Sequence, residues 1–160
     1  MTDNHGKQIQ IQLGTFDIDQ LIEALKRRED ACNELSQFAW DAVRKISLNP
    51  TKKDITLTIM TVRELTGKNK ATGQEIYDSI RMRGGFLCPA EVGPQLYLQH
   101  KDQPKERNLW IAMEPIMTND GYLGLFNLGR GGTRYLDAKG GGKPDQIWNG
   151  DIQFVFVLTQ

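Results

Sequence analysis

The stretch FLCPAEVGPQLYLQH, residues 86–100, decides how the second half of this chain is read. Pro89, Gly93 and Pro94 hold the backbone to a narrow set of directions, and the residues from Gln95 to His100 alternate polar and apolar. The segment therefore reads as a rigid approach leading into a strand, QLYLQH. In that reading Leu96 and Leu98 face the core, and His100 shares their face.

Downstream, LWIAMEPI, YLGLFNL, TRYLDA and IQFVFVL have the β-branched and aromatic content of short strands. Turn sequences separate them, notably TNDG before Tyr122 and GRGG before Thr133. Residues 138–151, AKGGGKPDQIWNGD, carry four glycines and no period. They are expected to form a long loop of the kind that often serves function, anchored by Trp148.

Upstream the period is helical. Asp17 and Gln20 form a capping box, Phe16 and Leu21 a hydrophobic staple, and Ile18, Leu21, Ile22 and Leu25 one apolar face, which predicts a helix ending near Arg28. NELSQFAWDAVRKI sets Leu35, Phe38, Ala39, Ala42, Val43 and Ile46 at helical spacing, and Pro50 stops it. DITLTIMTV alternates as a half-buried strand, and TGKNKA follows as a loop. Thr72 and Glu75 then cap a helix buried through Ile76, Tyr77 and Ile80 and ended by Gly84 and Gly85. The expected fold is α+β, about three helices on one mainly antiparallel, curled sheet of five or six strands. Residues 1–15 are expected to be a flexible tail or an edge strand, and residues 16–160 a single domain.

At 160 residues the chain is long enough for one core. Its hydrophobic share of 39% and charged share of 25% are those of a globular protein rather than a disordered one. Twenty basic residues balance twenty acidic ones, so overall charge supplies no general attraction to nucleic acid or anionic membrane. No signal-like apolar segment lies near the N-terminus, and no stretch approaches the roughly 20 apolar residues that cross a bilayer. A cytoplasmic setting with Cys32 and Cys88 as free thiols is the expectation.

Candidate chemistry is thin. GGGKP lacks the spacer and the serine or threonine of a phosphate loop. Cys88, His100 and Asp102 can be written as a nucleophilic set, but all lie within fifteen residues of one another, and a small buried thiol is the favoured account of Cys88. No metal motif is present: there is no paired-cysteine spacing, no helical histidine pair and no calcium loop, and no cofactor is implied. Arg81 and Arg83 with Lys68 and Lys70 could meet a phosphate, yet acidic residues interleave the basic ones elsewhere and no recognition helix is evident, so nucleic acid is not favoured. Glu91 lies just before one predicted strand and Glu114 on the solvent face of the next, after Trp110 and Ala112, so the two could pair as general acid and base, although a turn charge at Glu91 and an outward strand residue at Glu114 is the favoured account.

Several of these segments together resemble an uncharacterised family of small bacterial proteins. The resemblance runs from LSQFAWDAVRKI through TLTIMTVRELTG, EIYDSI, LCPAEVGPQLYLQHKDQP and WIAMEPI to FVFVL, about three quarters of the chain, with LCPAEVGPQL and IAMEPI its most specific parts. It implies no activity, cofactor or catalytic residue. Related sequences tend to have a shorter, more acidic connection where this one has GRGGTRYLDAKGGGKPD, so the resemblance implies that this loop is particular to this protein.

The function expected from the sequence is a noncatalytic binding or regulatory module in which Glu91, Gln95, Gln99 and Glu114 present hydrogen-bonding groups to a protein, a peptide or a small molecule. The alternative is a small hydrolase or transferase using Glu91 and Glu114. Glu91 and Gln95 could instead satisfy buried backbone groups.

Overall fold

The structure is a computed structural model, and it describes residues 6–30, 32–100 and 108–158. In chain order its elements are β1 (Lys7–Leu13), α1 (Ile18–Arg28), β2 (Asn33–Leu35), α2 (Gln37–Val43), β3 (Lys53–Thr61), α3 (Val62–Thr66), β4 (Lys70–Thr72), α4 (Gly73–Met82), α5 (Val92–Gln99), β5 (Leu109–Ile111), β6 (Ile116–Met117), β7 (Leu123–Gly124), β8 (Asn127–Arg130), β9 (Arg134–Asp137), β10 (Ile147–Asn149) and β11 (Gln153–Val157).

Seven strands form a curled sheet in the order β1-β3-β11-β5-β8-β9-β2. It is mixed rather than mainly antiparallel, because β11 runs parallel to β5, and β2 parallel to β9. The last strand of the chain inserts between β3 and β5, a long-range pairing that no local pattern encodes. Two small ribbons, β4 with β10 and β6 with β7, flank this sheet.

Alternation fixes the faces. In β1, Ile9, Ile11 and Leu13 are buried while Gln8, Gln10 and Gln12 are exposed, and the register sets Ile9 beside Leu57 and Ile11 beside Ile55. Helix α5 packs against β1, β8, β9 and α1. Met60, Phe154 and Phe156 take the other face, where Gly85, just past α4, lies against Ile80 and Phe156.

The segment Val92–Gln99 is a helix, which overturns the expected strand QLYLQH. Val92, Gln95, Leu96 and Gln99 stand at helical spacing, and a run this short satisfies both periods. Pro94 is tolerated because it falls in the first turn, where backbone N–H groups have no intrahelical acceptor. Residues Val92 to Tyr97 are all buried, so the helix has no polar face through its first six residues to announce it. Gly93 is required by close approach: a Cβ there would lie 2.6 Å from the Phe126 ring.

Local signals elsewhere behave as expected. Asp17 and Gln20 cap α1 reciprocally, and α1 ends at Arg28. Thr72 and Glu75 cap α4, and Gly84 follows it with φ +78°. Four short elements escape the expectation, among them β4 at the end of the expected loop TGKNKA and β10 within the expected loop 138–151. Asn33–Leu35 is a strand, with α2 starting only after its cap Ser36. Residues read as the end of a strand and a loop form α3, capped by Thr61 with Glu64 and closed by Gly67. Removing a cap hydroxyl leaves a first-turn N–H without its partner, so Thr72→Ala is expected to lower unfolding free energy by about 1 kcal/mol in urea denaturation.

Candidate functional site

Glu91, Gln95 and Gln99 are brought together, and they look inward. Glu91 is only 1% exposed. It precedes α5 without capping it; its Oε2 accepts from the Gly14 backbone N–H and its Oε1 from that of Asn49, both at 2.8 Å. One carboxylate thus ties the β1–α1 loop to the α2–β3 loop. Gln95 Nε2 donates to Thr15 Oγ1 at 2.8 Å and, more weakly, to Glu91 at 3.4 Å. Gln99 Nε2 donates to Gln95 Oε1 at 2.7 Å. The Gln99 amide also accepts from Gln12 N at 2.9 Å and donates to Gln12 O at 2.8 Å, pairing with β1 as a neighbouring strand would. A groove of about 700 Å³ opens beside this cluster, bounded by Gln12, Arg27, Arg28 and Gln99. The polar atoms of Gln95 and Gln99 beneath it are already committed to the fold.

The nucleophilic set does not assemble. Cys88 is 4% exposed and its Sγ donates to the Val155 carbonyl at 3.4 Å. Burial pushes the thiol far above its ordinary range, so no thiolate forms near neutral pH. The His100 backbone N–H closes α5 on Leu96 O, and its carbonyl accepts from Arg134. Asp102 lies outside the described residues.

Glu114 belongs to a different place. It shares no hydrogen-bond partner with Glu91 among the described residues and stands at a cavity of about 190 Å³ under the glycine-rich loop. Tyr77 and Arg81 of α4 form one wall, Glu114 and Pro115 after β5 a second, and Gly141 to Pro144 the rim. Trp148 and Phe154 supply the apolar lining. Sequence reading marks Tyr77 only as part of a buried stripe and Trp148 only as an anchor; a tryptophan inside a glycine-rich loop was the available signal.

The loop is held on both sides. Gly73 N donates to Gln146 O at 3.0 Å and Gln74 N to Pro144 O at 2.9 Å, while Gly142 N donates to Leu123 O at 3.1 Å. Gly141 has φ +90°, and a Cβ there would stand 2.6 Å from the Trp110 ring, so both conformation and space demand glycine. Trp148, 5% exposed, meets Trp110 edge to face at 4.7 Å and Phe154 at 5.0 Å. Its Nε1 has no hydrogen-bond acceptor among the described residues.

The charges at this cavity are little used by the fold. Glu114 and Lys143 are exposed and have no ion-pair or hydrogen-bond partner for their charged groups among the described residues, and Arg81 approaches Asp78 only at 3.8 Å. By contrast, two basic residues nearby are engaged: Lys68 binds Glu75, and Arg83 donates to Glu64 O at 2.7 Å.

Tyr77 is a pin in the wall. Its hydroxyl donates to Met113 O at 2.8 Å and accepts from Met113 N at 3.1 Å. Burial pushes its pKa up to about 12, opposed by the Met113 backbone and Arg81 and helped by the charge of Glu114. Tyr97, under the Arg134 guanidinium, is likewise raised to about 12 by burial. Both phenols keep their protons more tightly folded than unfolded. Their stabilisation is complete below the ordinary value of 10 and is lost as pH rises from there through about 12. Urea midpoints measured across that window are expected to fall together with the appearance of tyrosinate absorbance.

Among the described residues no three His, Cys, Asp or Glu side chains converge as metal ligands, and no helix is long and apolar enough to cross a membrane. Comparison with protein-family models, curated proteins and solved structures gives no match.

Proposed function

We propose that this protein is a noncatalytic binding module and that its site is the cavity beneath the glycine-rich loop. The observation that carries this is the pairing of uncommitted charges, Glu114 and Lys143, with a buried aromatic lining of Trp148 and Phe154. Such cavities, apolar within and with a few polar groups to orient the occupant, are what small-molecule sites need.

Two candidate catalytic groups, Cys88 and Glu91, are tied down. Cys88 is sealed and protonated, and Glu91 already accepts two backbone N–H groups. A Glu91 and Glu114 acid–base pair has no support at this cavity, since Glu114 lines it and Glu91 is buried elsewhere against the Gly14 and Asn49 backbone. The other expected binding residues, Gln95 and Gln99, hold β1 and α5 together, which leaves Glu114 as the recognition residue of that set.

Protein-observed NMR with neutral aromatic fragments tests this. Shifts confined to the Trp148 indole, Gly141, Gly142 and Tyr77 are expected. Shifts at Gln12, Arg28 and Gln99 instead would move the site to the groove beside β1.

A further inference from the structure

The cavity's size, the sign of its charges and their freedom together narrow its occupant, given that the cavity is the binding site proposed above. Its volume of about 190 Å³ is below the roughly 300–1,000 Å³ of drug-sized pockets and holds about six waters' worth of space. It admits one side chain or one small metabolite. A nucleotide is too large.

Both signs of charge line the cavity. Glu114, Arg81 and Lys143 are all exposed, and among the described residues only Arg81 of the three approaches another charge, Asp78 at 3.8 Å. Simple ions are poorly matched. A lone anion would meet Glu114, and a lone cation would meet Arg81 and Lys143. An internal peptide residue brings neither charge, and a peptide end brings one of the two. A molecule carrying an ammonium and a carboxylate on one carbon satisfies both signs at once, and its remaining bulk is free to lie along Trp148 and Phe154.

We propose that the cavity takes a free amino acid with an apolar side chain: its ammonium at Glu114, its carboxylate at Lys143 and Arg81, and its side chain against the aromatic lining. Each charged contact is to an exposed side chain, where one such pair changes affinity by about fivefold and is weakened by salt.

Isothermal titration of the full chain with leucine and phenylalanine, their N-acetyl forms, their amides, the neutral N-acetyl amides and short leucine and phenylalanine peptides tests this. The free amino acids are expected to bind tightest, with each blocked end costing about fivefold. Glu114→Gln should weaken the free amino acid by the same factor as N-acetylation, and the two losses should not add. Glu114 is exposed, so this variant is expected to fold as the wild type does. If the neutral N-acetyl amides bind as well as the free amino acids, the zwitterion inference fails while the binding site stands. If a short peptide binds more tightly than any free amino acid, the inference fails in favour of a peptide end. If neither neutral nor charged compounds bind, the inference and the site both fail.

Discussion

Glu91→Ala is expected to destabilise the protein by about 3 kcal/mol in urea denaturation. The carboxylate is buried and accepts the backbone N–H groups of Gly14 and Asn49, and truncation leaves both donors, from two different loops, without partners. An unpaired buried donor costs about 1–3 kcal/mol, and the loss of a charged acceptor lies toward the upper end. Glu91→Gln should fall between wild type and alanine, because its one oxygen replaces one acceptor while its NH₂ is set against the second donor. A Glu91→Ala variant within about 0.5 kcal/mol of wild type, the range of ordinary surface substitutions, would mean that the loops do not depend on the carboxylate.

Gly14→Ala acts on the same junction from the other side and is expected to cost about 3 kcal/mol or more. Gly14 has φ +71°, where an L side chain is strained by roughly 1–2 kcal/mol. Its added Cβ would also fall 1.9 Å from the Thr51 carbonyl oxygen, which is backbone and cannot rotate away. Moving the loop to relieve that clash breaks the N–H bond to Glu91, adding to an overpacking cost of about 1–3 kcal/mol. Because both substitutions spend the same interaction, the double variant should lose less than the two single losses combined. Full additivity would show that Gly14 and Glu91 act independently.

These two residues show where sequence reading reaches and where it stops. The capping boxes at Asp17 and Thr72, the end of α1 at Arg28 and the TNDG turn at Gly121 are settled within a few neighbouring residues, and all are visible in the chain. The α5 helix is not, because LYLQ alternates as a strand does while the buried stripe that makes it a helix depends on Phe126 and the sheet. Glu91 is conspicuous in the sequence, but its partners stand 77 and 42 residues away, so whether it faces a ligand or the fold is a tertiary fact. The mixed character of the sheet is tertiary for the same reason: β11 and β5 are parallel only because the chain returns between β3 and β5.

The cavity illustrates a second kind of gap. Tyr77, Glu114 and Trp148 come from helix α4, the β5–β6 connection and strand β10, and nothing in their spacing announces that they meet. The glycine-rich run was legible as a loop, but the end of the expected 138–151 loop, Ile147–Asn149 with Trp148, is strand β10 paired with β4. The use of the run was not legible, since Gly141 matters through its contact with the Trp110 ring and Gly142 through its bond to Leu123.

A crystal structure of the protein soaked with the tightest binder from the fragment and amino acid set decides between the two surfaces. Ligand density is expected between Tyr77, Glu114 and Lys143, against Trp148, with Glu91 and its two backbone donors unmoved. Density in the groove beside Gln12 and Gln99, with the loop cavity empty, would contradict the proposed site and return recognition to the 86–100 segment.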